Sequence, residues 1–207
     1  VVYVSAASDL VADDTNGVND IFWHDVTDRT TERVSISDNE SQANGASAAT
    51  IPSVSNDGRY VLFISLASNL VIGDTNAAAD VFLRDRTAGT TTLLSKSSAG
   101  TIGNAASNYA TMDDNANYVF FVSTATNLVD GDTNGQADLF VHKRLSGETV
   151  RLSKAADGTQ GNGAALYPPA ITSDGSFVAF ISRASNLVSG DTNGTGDVFL
   201  VNNSLFG

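Results

Sequence analysis

Four short stretches of the sequence gather oxygen-bearing side chains at one fixed spacing. Asp14, Asn16 and Asp20 surround Gly17, and the set returns as Asp74, Asn76 and Asp80, as Asp132, Asn134 and Asp138, and as Asp191, Asn193 and Asp197. Two oxygen donors two residues apart, a glycine turn and a further carboxylate make up the later half of an Asp-x-Asp-x-Asn-Gly-x-x-Asp calcium loop. Ca²⁺ needs about six to eight hard oxygen ligands, and the glycine permits the sharp turn that gathers them. These twelve residues are the candidate metal ligands and Ca²⁺ is the candidate ion. Their eight aspartates are over a third of the 23 acidic residues, and four bound ions (+8) would bring the formal charge from −12 to about −4, relieving self-repulsion.

The same residues also suit a loop with no metal. Asp-Thr-Asn-Gly forms Asx-turns, tolerates left-handed backbone and places an Asp at the start of the next strand. The position two before the first Asp is Ala12, Ile72, Asp130 or Ser189, so one copy alone offers a carboxylate there, and the second copy has Ala77 in place of the glycine. At this point a calcium loop and a hydrogen-bonded turn both stand.

Other chemistry is thin. The two histidines, His24 and His142, fall at one repeat position, which is Arg84 and Val201 in the other copies. So variable a site reads as a surface strand position. No Gly-x-Ser-x-Gly elbow, phosphate loop or dinucleotide fingerprint occurs. A chain without cysteine has no disulfide, thiolate metal site or Cys nucleophile. A paired-carboxylate glycosidase site is conceivable on composition, but nearly every Asp has a place in the repeat. The departures from the pattern are Trp23, Tyr109, Tyr167-Pro168-Pro169 and Lys143-Arg144. Trp23 and Tyr167 are the aromatic candidates for stacking on a sugar or a partner side chain, with plain packing as the default. The net charge of −12 argues against nucleic acid and anionic membranes, and no apolar run approaches the ~20 residues of a spanning helix. No signal peptide is legible, and the chain opens directly on the strand-like Val1–Val4. The expectation is that a leader was removed or that this is a piece of something longer.

These loops are held by a repeat. The Asp-Thr-Asn strings begin at 14, 74, 132 and 191, so the period is 60, 58 and 59 residues. Each period parses into four strands. The first covers 48–55, 108–113 and 168–172. The second, near-continuously apolar and so buried on both faces, covers 1–4, 60–64, 118–122 and 177–181. The third covers 21–24, 81–84, 139–142 and 198–201, and the alternating fourth covers 31–35, 91–95 and 149–153. Asn56-Asp57-Gly58 and Ser173-Asp174-Gly175 are tight turns between the first two, with Asp114-Asn115-Ala116 as the degenerate copy. No stretch has helical periodicity. Four antiparallel strands per repeat make one propeller blade; a β-solenoid would need coils of about 20 residues, which do not recur. The fold class is therefore all-β, a β-propeller of about 3.5 repeats over 1–207, with repeats at approximately 1–47, 48–107, 108–165 and 166–207.

The units Ser-Asn-Leu-Val-x-Gly-Asp-Thr-Asn-Gly-x-x-Asp-Val-Phe and Thr-x-Ser-Asp-Gly-x-x-Val-Ala-Phe-Ile-Ser resemble the WD40-like, TolB-type (PD40) propeller repeats of bacterial secreted and envelope proteins, over essentially the whole chain. The resemblance implies a propeller outside the cytoplasm: extracellular, on the cell surface or periplasmic. It is nearly silent on function. The expectation is a non-catalytic structural or protein-interaction module with calcium as its candidate stabiliser. The rivals are the propeller part of a secreted hydrolase or lyase and a carbohydrate-binding module. Blade one lacks its first strand and blade four its last, which Ser204-Leu205-Phe206 would begin. A larger propeller, self-association into a ring and a small four-bladed ring all fit that count. A protein partner or self-association is expected, carbohydrate stays open as a ligand, and no nucleic acid and no membrane insertion are expected.

Overall fold

The structure, a computed structural model, describes residues 1–47 and 52–202. They form fourteen strands and, among the described residues, no helix. Blade 1 holds β1 (Val2–Ser5), β2 (Asp20–Asp25) and β3 (Thr30–Arg33). Blade 2 holds β4 (Ser53–Val54), β5 (Tyr60–Ser65), β6 (Asp80–Asp85) and β7 (Thr90–Leu93). Blade 3 holds β8 (Ser107–Met112), β9 (Tyr118–Ser123), β10 (Asp138–Lys143) and β11 (Glu148–Arg151), and blade 4 holds β12 (Ala165–Ile171), β13 (Phe177–Ser182) and β14 (Asp197–Asn202). Each blade is a sheet of its own, antiparallel and in sequence order. The expected first strand of the second repeat lies partly outside the described residues, and Ser204-Leu205-Phe206 lies wholly outside them.

Short turns enforce the meander. Gly58 takes φ +73° and its N–H bonds the Ser55 carbonyl at 2.9 Å. Its degenerate counterpart Ala116 takes φ +54° to make the same bond to Asp113, at the steric cost a Cβ carries in that region. Within each blade an aromatic pair crosses the second and third strands: Tyr3 on Phe22, Phe63 on Phe82, Phe121 on Phe140 and Phe180 on Phe199, with centroids 5.6–5.8 Å apart. Offset stacking at that distance adds to the area each ring buries.

The core lies between blades. One cluster joins Ile21 and Val34 of blade 1 to Val61, Phe63, Phe82 and Leu93 of blade 2. A second joins Leu62, Ile64, Val81 and Leu83 to Val119, Phe121 and Phe140 of blade 3. A third joins Phe120, Val122, Leu139 and Val141 to Val178 and Phe180 of blade 4. Odd and even residues of one strand thus serve different neighbours. This is why the second strand is apolar at every position, and β5 is buried throughout. The first strands converge, since β8 lies against β12 and against β5 and β6. Arginines close the seams lower down: Arg86 stacks on Trp23 at 3.3 Å from the ring centroid, and Arg144 on Tyr60 at 4.5 Å. Trp23 is thereby engaged in packing between blades 1 and 2.

One histidine expectation is corrected. His142 is buried, its Nδ1 2.9 Å from the Thr149 hydroxyl. Burial pushes its pKa down to about 4, with Lys96 adding to the shift, so the ring is neutral at pH 7. The cause is the connector of the preceding blade, which folds over this site: Thr149 Oγ1 donates to the Lys96 carbonyl at 2.5 Å. His24, in the first blade, makes the equivalent contact to Thr31 and is only half-buried.

Candidate functional site

The acidic loops are built the same way four times. The asparagine amide nitrogen donates to the last aspartate: Asn16 to Asp20 and Asn76 to Asp80 at 2.7 Å, Asn134 to Asp138 at 2.8 Å, and Asn193 to Asp197 at 3.0 Å. Its oxygen accepts the backbone N–H two residues on, from Val18, Ala78, Gln136 and Thr195, which is an Asx-turn. In blades 1–3 the same nitrogen also reaches the next connector, at the carbonyls of Ala43, Gly103 and Gly161. The other oxygen of the aspartate accepts a serine hydroxyl from just beyond the outer strand: Ser35 on Asp20 at 2.5 Å, Ser95 on Asp80 at 2.6 Å, and Ser153 on Asp138. The asparagine therefore spends its oxygen on its own turn. The aspartate ties the third strand to the fourth.

The first aspartate of the loops in blades 1 and 3 meets a charge that the motif does not contain. In blade 1, Arg33 Nη1 lies 3.0 Å from Asp14 and 3.7 Å from Asp20. In blade 3, Arg151 Nη1 lies 3.4 Å from Asp132 and 3.9 Å from Asp138. A glutamine completes each: Gln42 accepts from Arg33 at 3.2 Å, and Gln160 donates to Asp132 at 2.8 Å. In blade 2 the corresponding residues are Leu93 and Ile102. There desolvation pushes Asp80 up to about 6, aided by the charge of Asp74, whose own pKa burial also raises. Asp138 is raised by burial too, with Arg151 working against the shift. So a guanidinium stands beside the carboxylates in two loops, and a calcium ion there would have to displace it. No cluster of three or more His, Cys, Asp or Glu able to hold a metal occurs among the described residues. The signal for the arginines was in the sequence: Arg33 and Gln42 change together to Leu93 and Ile102, then back to Arg151 and Gln160.

Serine and asparagine of the Ser-Asn-Leu-Val motif have a separate task. Asn44 N–H donates to Asn69 Oδ1 and Ser68 N–H donates to Asn44 Oδ1, both at 2.9 Å, so that the connector after blade 1 is clasped to the loop of blade 2. Asn104 with Asn127, and Asn162 with Asn186, repeat the clasp at the next two junctions.

The most ligand-like surface lies on the first strands. Tyr109 on β8 and Tyr167 on β12 occupy left-handed backbone, at φ +55° and +61°. Each sits where the pairing slips, between Asn108 and Thr111 and between Leu166 and Ala170. Bulky residues are genuine outliers at positive φ, and such strain clusters at binding sites. Both rings are exposed, 37% and 60%. With Asn108, Leu166 and Arg183 they line a cavity of about 350 Å³ between blades 3 and 4. Pro168 and Pro169 fit here because β12 is an edge strand whose N–H groups are not all needed for pairing. Sequence alone marked both tyrosines as departures from the repeat. The bulges that present them were not legible.

No protein-family model matches the sequence, and neither does any curated protein. Among solved structures, a TolB-designated protein from Agrobacterium tumefaciens is similar over 96% of this chain, with a TM-score of 0.54 and 16% identity. The hydrazine synthase of Kuenenia stuttgartiensis is similar over 79% of this chain and 43% of its own, at a TM-score of 0.44 and 15% identity. The chain spans 57% of the length of the TolB-designated protein. The fold is a TolB-like propeller; identity this low establishes that and no activity.

Proposed function

We propose that this propeller is a non-catalytic protein-interaction module of the cell envelope or periplasm, and that its contact surface is the inner-strand face carrying Tyr109 and Tyr167. One observation carries the reading: two exposed tyrosines held at equivalent bulges by strained backbone, on adjacent strands, beside a cavity. Tyrosine supplies a large amphipathic contact at little entropic cost, which suits interfaces. Arg183 is the one charged residue lining the cavity, favouring a partner segment with a carboxylate. The TolB-like fold is compatible with an envelope setting. Membership in the PD40 repeat family is part of this proposal, as is calcium, which is best placed beside Asp74 and Asp80, where no arginine competes.

The test is capture of envelope proteins on the immobilised chain, followed by affinity measurement on the purified partner. Tyr109→Ala and Tyr167→Ala should each weaken binding at least tenfold while leaving the melting temperature near wild type. Binding that survives both changes would sink this surface. A panel of soluble oligosaccharides, assayed with the same variants, separates a protein partner from a sugar: tyrosine-dependent sugar binding would replace the reading with the carbohydrate-binding one.

A further inference from the structure

We infer that the cavity between blades 3 and 4 captures the C-terminal end of a partner chain, with its α-carboxylate on Arg183 and its last, apolar side chain against Tyr109 and Tyr167. The inference rests on the tyrosine surface proposed above and deepens it by naming what enters. The cavity measures about 350 Å³, and no carboxylate stands with Arg183 in its lining. In a chain of 23 acidic and 11 basic residues, that local sign runs against the whole.

The repeat shows that the fold does not need this charge. Arg183 follows the second strand of its blade, and its backbone N–H donates to the Ala164 carbonyl at 3.0 Å. Thr124 and Leu66 stand at the same place in blades 3 and 2 and make the same bond, to Ala106 at 3.1 Å and to Ala46 at 2.9 Å. In blade 1 the place is taken by Ala6. The side chain is therefore free to vary, and one copy alone carries a cation. Five other arginines are consumed inside the chain: Arg33, Arg59, Arg84 and Arg151 on carboxylates, and Arg144 on the Ala116 carbonyl. Arg183 is exposed and has no ion pair or side-chain hydrogen bond among the described residues, and neither do the hydroxyls of Tyr109 and Tyr167. The polar heads of three residues lining one cavity thus remain open to a ligand.

Three observations select a chain end over a passing segment. The volume lies at the lower end of the range for ligand cavities, which suits a terminus and a single side chain. Pro168 and Pro169 leave two consecutive positions of β12 without an N–H, on the edge where a passing strand would have to pair. A molecule of net charge −12 repels an acidic stretch, whereas one terminal charge on an apolar end brings only the group that Arg183 lacks. The guanidinium fork matches both oxygens of a carboxylate. Val122, Leu166 and the alanines of the lining suit an apolar last residue. The path of this chain does not lead to the cavity, since it runs on from β14 and β13 stands between β14 and β12.

The test titrates three fluorescein-labelled peptides with the 207-residue chain and follows anisotropy. They are Gly-Ser-Gly-Ala-Leu as the free acid, the same peptide as its C-terminal amide, and Gly-Ser-Glu-Ala-Leu amide, which moves the carboxylate to a side chain. The free acid should bind saturably, and both amides should bind roughly tenfold or more weakly, the scale of a hydrogen bond to a charged group. Arg183→Gln should bring the free acid down to the level of its amide, and Arg183→Lys should restore part of the difference. Neither should move the melting temperature. Acid and amide that bind alike, yet lose binding in Tyr109→Ala and Tyr167→Ala, would overturn the chain end and leave the tyrosine surface standing. A Glu peptide amide that binds as well as the free acid would overturn it in favour of a side-chain carboxylate. Acid binding that needs Arg183 but survives both tyrosine changes would overturn the surface and the inference together. No saturable binding by the folded chain would overturn the inference alone, because the tyrosine surface is tested on its captured partner.

Discussion

Blades 1 and 2 carry the same acidic turn and neutralise it differently. In blade 1 the pair Asp14 and Asp20 holds Arg33, whose side chain is almost out of water. In blade 2 the pair Asp74 and Asp80 faces Leu93 and Ile102, and the electrostatic cost shows as a raised carboxyl pKa. A repeat can therefore keep its hydrogen-bonded skeleton while exchanging an ion pair for apolar packing. Replacement of a buried ion pair by apolar groups is often neutral in energy, whereas removing one partner is not. Blade 2 retains both aspartates without a guanidinium, so it stands between those two cases.

The largest effect is expected from breaking the pair in blade 1. Arg33→Leu leaves two buried carboxylates without a cation and should cost about 3–5 kcal/mol at pH 7, read from urea unfolding. A loss under 1 kcal/mol would mean that the serine and asparagine donors carry the turn alone.

Next comes pH. Asp80 binds its proton more tightly folded than unfolded, so its contribution is fully present below about pH 4 and is lost as pH rises to about 6. The loss should be about 2–3 kcal/mol at 1.36 kcal/mol per pKa unit. Asp57, held low by the Ser55 hydroxyl, and Asp174, held near 2 by Thr172 and Ser176, act in the opposite sense as pH falls. The clean measurement is thus a difference. Leu93→Arg with Ile102→Gln, which gives blade 2 the residues of blade 3, should flatten the pH 4–6 slope relative to wild type. An unchanged slope would place the titration elsewhere.

Calcium sharpens the same contrast. Melts in EDTA, millimolar Ca²⁺ and millimolar Mg²⁺ should show any calcium-specific rise in Tm vanishing in Leu93→Arg, where the guanidinium takes the cation's place. A rise that survives that change would move the ion to another loop.

The smallest effect concerns the turn itself. Ala77 sits at φ +54°, where blades 1, 3 and 4 use Gly17, Gly135 and Gly194. Ala77→Gly relieves about 1–2 kcal/mol of backbone strain against the added freedom of an unfolded glycine. A net gain of about 0.5–1 kcal/mol is expected in chemical denaturation, and a loss would show that the alanine methyl packs usefully.

The repeat made the strands legible because period-two and continuous apolar patterns recur in register, and the aromatic Phe63 and Phe82 mark the paired centre of a blade. Strand ends were less legible. The fourth strand reads as 31–35, but pairing in β3 stops at Arg33, after which Val34 and Ser35 turn to bond Ile21 and Asp20. Variability at a repeat position also proved a poor guide to exposure. His142 and Arg84 differ in type yet are both buried, because each meets a different connector, Lys96 for one and Glu40 for the other. The arginine beside each acidic loop was missed because Arg33 lies thirteen or more residues from its partners, on another strand. The bulges at Tyr109 and Tyr167 are register slips between the first and second strands of their blades, which no local pattern encodes.

The asparagine clasps have a consequence for how such a chain can change length. Each ties a connector only to the blade that follows, through the same few atoms every time. Duplicating or deleting one whole unit leaves every remaining clasp with its proper mate, whereas adding part of a unit strands an asparagine at the splice. As far as the clasps go, blade number is thus a quantity that recombination can adjust in whole steps, and the clasp, more than the blade, is the element that selection must hold fixed.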